Sequence, residues 1–195
     1  MGLYKKITLD DSMSQKEDPD ADDRPLHIDP VPSVADVPNS LLPTEDVDES
    51  RCHGSELAAE RFVTDGGCDS LKGTTVGMIG HWAFCQYLPG NRKPDSNVYP
   101  AGDGGWDEKF GGHTWDVKTV GQHVETPALT VDAMTRLRAD RYALVNRVGK
   151  NTCRIVGYAS RETVKAQQMR LNEYDRAYYH VPRDKLIPFP PMLSE

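Results

Sequence analysis

Residues 106–118 read WDEKFGGHTWDVK, two alternating runs joined by Gly111-Gly112. Both central positions of a two-residue type I′ turn need positive φ, which glycine adopts without a Cβ penalty. A turn there sets the register: Phe110 faces His113, Lys109 faces Thr114, Glu108 faces Trp115 and Asp107 faces Asp116. Residues directly opposite share a face of a sheet, as do i and i+2 along one strand. Asp107, Asp116 and Lys118 therefore leave the hairpin on one side, while Trp106, Phe110, Trp115 and Val117 make its core side. A slip of one residue would carry Asp107 to the opposite face.

Two carboxylates opposed at about 5 Å between Cβ atoms repel each other, so the arrangement calls for compensation. A hard divalent cation such as Mg²⁺ supplies it, taking carboxylate oxygens and leaving positions for water and a phosphate oxygen. Lys118, one pleat beyond Asp116, is placed to orient that water or to stabilise charge on a pentacoordinate phosphorus. The group suits phosphodiester hydrolysis. The competing reading is a surface hairpin with one Asp-Lys ion pair of small energetic value and a solvated second aspartate.

Outward from the hairpin, VGMIGHWAFCQYL (76–88) has apolar residues around much of a helical circumference and closes at Pro89-Gly90, which predicts a largely buried helix. GSELAAERFV, from Gly54, places Leu57, Ala58, Arg61 and Phe62 at helical spacing ahead of Gly66-Gly67. RYALVNRV (141–148) and CRIVGYAS (153–160), separated by GKNT, predict a second hairpin. RETVKAQQMRL follows as a predicted helix with Ser160 as its N-cap, and AYYHVP (177–182) as a last strand before a proline-rich end. The order predicts an α/β or α+β domain with a small mixed sheet flanked by helices.

The 195 residues carry a net charge of −7, unevenly distributed. Residues 1–50 hold 4 Lys+Arg against 13 Asp+Glu, a charge of −9; the remaining 19 against 17 leave residues 51–195 at +2. Residues 10–50 combine acid runs with frequent proline, a composition that cannot offset ordering entropy, so 1–50 is expected to be a disordered acidic extension on a domain spanning 51–195. A short edge strand is expected at Tyr4–Leu9. The extension is a solubilising tail, an imitation of nucleic acid, or a mask over a basic groove of the same protein. The near-neutral body permits phosphate contacts. Cys52, Cys68, Cys85 and Cys153 form no C-x-x-C and are expected as reduced thiols. Neither a membrane span nor a secretory signal is visible, which points to the cytoplasm.

Taken together, GMIGHWAFCQYL, then DGGWDEKFGGHTWDVKT, then ADRYALV and CRIVGYAS and the closing AYYHVPRDKLIPF resemble the PD-(D/E)XK nuclease superfamily, most of all its phage and prokaryotic members, over about residues 54–189. The resemblance implies a restriction-endonuclease-like core and Mg²⁺- or Mn²⁺-dependent cleavage of nucleic acid, DNA in the first place, in a protein that is often a homodimer. It implies Asp107 as the first metal-binding carboxylate, Asp116 as the second, Lys118 as the catalytic lysine and the Val117 carbonyl as a further ligand. His81 stands where relatives carry a metal-binding glutamate. Either His81 replaces it, favouring a softer metal such as Mn²⁺ or Zn²⁺ over Mg²⁺, or Glu56 or Glu60 reaches the site, or activity is reduced. In that last case the chain is a nuclease-like binding module acting through its acidic arm. Asp103 reads as a turn residue and His113 and His123 as flanking groups; Trp106 and Trp115 read as packing residues.

Overall fold

The apolar run Tyr142–Val145 needs cover on both faces of a strand, and the molecule is layered around it. The computed structural model describes residues 33–64, 70–90, 92–94, 105–133 and 137–189, all within one compact unit, Val31–Glu195. A five-stranded sheet has the order β1 (Thr44–Asp46), β6 (Thr152–Ser160), β5 (Arg141–Arg147), β3 (His113–Val120), β2 (Glu108–Phe110). The β3–β5 pair is parallel and every other pair in it antiparallel, so the sheet is mixed. Ala143 and Val145 enter one apolar cluster and Tyr142 and Leu144 the other, as period-2 alternation demands of a strand covered twice.

On the first face lies α2 (Leu71–Tyr87), which packs Ile79, Ala83 and Phe84 against Trp115, Val117 and Ile155. The proline-rich end contributes Phe189, whose ring meets those of Phe84, Trp115 and Tyr158. α1 (Glu49–Thr64) leans on α2: the Arg51 guanidinium sits 4.7 Å from the Trp82 ring centroid and donates to Gln86 at 2.8 Å. On the second face, a three-stranded antiparallel sheet of order β4 (Leu129–Asp132), β8 (Ala177–Val181), β7 (Met169–Leu171) supplies Leu129, Val131 and Val181. The short α3 (Arg161–Lys165), capped by the Ser160 hydroxyl, adds Val164 to the same cluster. Among the described residues no helix is long and apolar enough to cross a membrane.

Several elements depart from the sequence expectation. The domain does not begin at residue 51: Val34 and Val47 are fully buried, β1 pairs with β6, and the Pro43 carbonyl accepts from Ile155 N–H. Its few apolar residues are spread thinly among prolines and acids, so the composition of the stretch is that of a tail although individual side chains such as Val34, Leu42 and Val47 dock. The strand expected at Tyr4–Leu9 and the arm as far as residue 32 lie outside the described residues. α1 starts at Glu49 because Asp48 accepts the Arg51 N–H as its cap; its buried side is Cys52, Ser55 and Ala59, and Leu57 is exposed. The helix expected over RETVKAQQMRL stops at Lys165, since Met169 and Leu171 find no core and their backbone pairs with β8 instead. Trp106 packs with the second cluster and not beside Trp115 and Val117. Cys52, Cys85 and Cys153 are free thiols.

Candidate active site

Gly111 and Gly112 adopt φ of 58° and 75°, and β2 pairs with β3 as Glu108–Trp115, Lys109–Thr114 and Phe110–His113. Asp107 extends that ladder by one residue. Its N–H donates to the Trp115 carbonyl at 2.7 Å, and its Oδ2 accepts the Val117 N–H at 2.6 Å. Asp116 lies near enough to it for the Asp107 carboxylate to raise its pKa, and Lys118 Nζ stands 2.8 Å from Asp116 Oδ1. Three of the residues singled out in the sequence are therefore one constellation.

Its electrostatics are strained. Burial pushes the Asp116 carboxyl up to about 6; the charge of Lys118 pulls it down, and the charge and hydrogen bond of Asp107 push it further up. Only 15 % of the Asp116 side chain is exposed, against 37 % of Lys118. Burial and the second acid both disfavour the charge on Asp116, and Lys118 offsets them only in part.

Alternation along β3 separates this group from α2. Trp115 and Val117 pack on α2 with Thr119 following, and a Cβ on Gly80 of α2 would lie 2.0 Å from Thr119 Oγ1, so helix and strand touch. Asp116 and Lys118 leave by the other face, beside Tyr142 and Leu144 in the β5 register. His81, expected to join the aspartates, meets Glu108 instead: its Nε2 is 3.4 Å from Glu108 Oε1. Cys85 Sγ, one helical turn on, donates to the same oxygen at 3.2 Å. Arg92 approaches the other carboxylate oxygen, Oε2, at 3.5 Å. Burial raises the Glu108 pKa, but His81, Cys85 and Arg92 together outweigh it and hold the carboxyl below its ordinary value. Burial and the neighbouring Glu108 push the Cys85 thiol far up.

Glu56 and Glu60, the alternative carboxylates, are exposed on α1, and Glu56 pairs with His53 at 3.6 Å. His113 Nε2 is engaged by Arg141 at 2.9 Å, and Trp115 is core, its indole donating to the Phe110 carbonyl. Asp103 lies outside the described residues. No protein-family model, curated protein or solved structure matches this chain. The arrangement of its own residues therefore carries the functional argument.

Glu108 and Cys85 were not singled out from the sequence, yet the signal was present. The same register that joins the aspartates puts Glu108 opposite Trp115, an acid on a core face, and His81 and Cys85 are spaced i, i+4 on the helix that covers it. A separate cleft of about 800 Å³ opens past the C-terminal end of β3 at the start of α2. Lys72, His123, Arg147 and Lys150 stand on its wall. Neither aspartate lines it; Thr119 links it to the strand that carries Lys118.

Proposed function

We propose that the chain is a metal-dependent nuclease of the PD-(D/E)XK kind, hydrolysing phosphodiester bonds of nucleic acid, DNA in the first place. The observation that carries this is the juxtaposition of the buried Asp116 with Asp107, which extends the hairpin ladder beside it, and with the Lys118 ammonium 2.8 Å away. The donor set fits a hard divalent ion, Mg²⁺ or Mn²⁺: both aspartates offer oxygen ligands, and the burial and repulsion that raise the Asp116 carboxyl are what a cation would relieve. An extended strand sends a residue's N–H and C=O out along the same edge, so the Val117 carbonyl opens on the edge where Asp107 takes the Val117 N–H. Bound there, such an ion supplies Lewis acidity and a more acidic water.

The chain's own residues do the rest. Asp107, tied at its N–H and at its Oδ2, holds one carboxylate in fixed register with the other, so little reorganisation is needed when the phosphate arrives. Lys118, partly exposed, presents its ammonium beside Asp116, where it can hold the attacking water or the charge that develops on the phosphate oxygens. The sheet order, with α2 ahead of the hairpin and β5 parallel to β3, supports the restriction-endonuclease-like reading of the core.

The test is incubation of the purified protein with single-stranded, double-stranded and branched DNA and with RNA, in Mg²⁺ or Mn²⁺ and in chelator. Divalent-dependent cleavage is expected, and Lys118→Ala should lower it by about 10²-fold or more with the fold retained. No cleavage of any substrate by the wild type would overturn the reading. The cleft beyond β3 is expected to take part of the phosphate backbone. Lys72→Ala and Lys150→Ala should each weaken binding to all sequences alike and reduce the salt dependence of the binding constant by roughly one unit of log–log slope. An unchanged slope in both variants would remove the cleft from the path.

A further inference from the structure

Oxygen ligands for a hard ion lie on one face of the hairpin, and a chemically different set lies on the other. His81 and Cys85 occupy i and i+4 of α2, hence one side of the helix, and Glu108 of β2 points up at them. We propose that His81, Cys85 and Glu108 form a second metal site, for a tetrahedral borderline-soft ion of the zinc class, distinct from the Asp107–Asp116 pair.

The spacing is the first argument. A tetrahedral zinc ion with bonds of about 2.0–2.3 Å sets its ligand atoms roughly 3.3–3.7 Å apart. Cys85 Sγ and His81 Nε2 stand 3.2 and 3.4 Å from Glu108 Oε1, and the three ligand atoms all lie within 4.8 Å of one another. The second argument is an unsatisfied atom. His81 Nε2 is buried and, despite its nearness to Glu108, lacks a hydrogen-bond partner of proper geometry; a buried ring nitrogen without one costs free energy that a metal bond would recover. The third is division of labour on the carboxylate: Oε1 faces His81 and Cys85 while Oε2 is turned to Arg92, which leaves one oxygen for an ion and steadies the other.

A thiolate and an imidazole select zinc, cobalt or a similar ion over Mg²⁺. Three protein ligands leave the fourth tetrahedral position for water. The ion staples α2 to β2 at the residue following Asp107. It therefore braces the strand that carries the first hard-metal carboxylate, and its binding expels the Cys85 thiol proton.

Co²⁺ titrated into metal-free full-length protein, read by absorbance, tests the site without any nucleic acid, so its outcome is independent of the nuclease reading. A thiolate-to-cobalt charge-transfer band with tetrahedral d–d bands is expected at one equivalent, displaced by Zn²⁺. Cys85→Ser should abolish the charge-transfer band. His81→Gln and Glu108→Gln should each weaken Co²⁺ binding about tenfold or more, which keeps the proposal testable if the buried Cys85→Ser variant does not fold. Absence of the band in the wild type would overturn the proposal. So would a band of equal affinity in both His81→Gln and Glu108→Gln, because the ion would then not be held by this trio.

Discussion

Asp116→Asn is expected to make the protein more resistant to heat while abolishing the divalent-dependent cleavage proposed for it. In the folded state the Asp116 carboxyl titrates near 6 because of burial and the adjacent Asp107, against an ordinary value of 3.8. Between those values the folded state binds more protons than the unfolded one, so stability from this group falls as pH rises from about 4 to 6, and the penalty is complete above 6. Two pKa units and a fraction correspond to about 3 kcal/mol at most. The amide removes the ionisation without removing the shape. At neutral pH a gain of roughly 1–3 kcal/mol is expected, which for a domain of this size raises Tm by several degrees. Thermal melts of the two proteins at pH 4 and pH 7.5 check it: the variant's advantage should be present at 7.5 and nearly absent at 4. Equal melting temperatures at pH 7.5 would mean that Asp116 is not held under electrostatic strain.

The second large effect concerns packing. Gly80→Ala puts a methyl 2.0 Å from Thr119 Oγ1 and 2.5 Å from its Cγ2, distances that no side-chain rotation on an alanine relieves. The helix must move off β3, at a cost of about 1–3 kcal/mol, and a larger residue such as Leu should prevent folding. Thr119 is the natural partner for a compensating change. Its hydroxyl is buried with no hydrogen-bond partner, so Thr119→Ala alone should cost little, and the double variant should recover much of the loss. Chemical denaturation of the two singles and the double checks this; additive losses would contradict the close approach of α2 and β3.

These two predictions come from opposite faces of one strand, and the alternation that separates them was legible from WDEKFGGHTWDVK alone. The glycine turn, the pairing of Glu108 with Trp115 and the meeting of Asp107 with Asp116 follow from local rules of hairpin geometry, which short-range sequence carries in full. The buried α2 and the β5–β6 hairpin were legible for the same reason, since long apolar runs have few folded solutions. β1 and the docking of Val34 and Val47 were not, because single apolar residues among prolines and acids acquire meaning only against a partner more than 100 positions away, as Thr44 does against Arg154. Nor was the place of His81. A motif read along the chain assigns it to the aspartates, whereas the pleat of the sheet puts Glu108 between them and the helix and aims Asp116 elsewhere. Trp106 departs for a similar reason: it precedes the paired part of the hairpin, so strand alternation no longer dictates its direction.

The most direct measurement is calorimetric titration of Mn²⁺ at pH 7.5 into the wild type, Asp107→Asn, Asp116→Asn and His81→Gln. Binding to the wild type, lost in both aspartate variants and retained in His81→Gln, is the expected pattern, because the proposed site at Asp107 and Asp116 and the His81 imidazole lie on opposite faces of β3. Wild-type protein that takes up no Mn²⁺, or binding that survives in both Asp107→Asn and Asp116→Asn, would contradict the account.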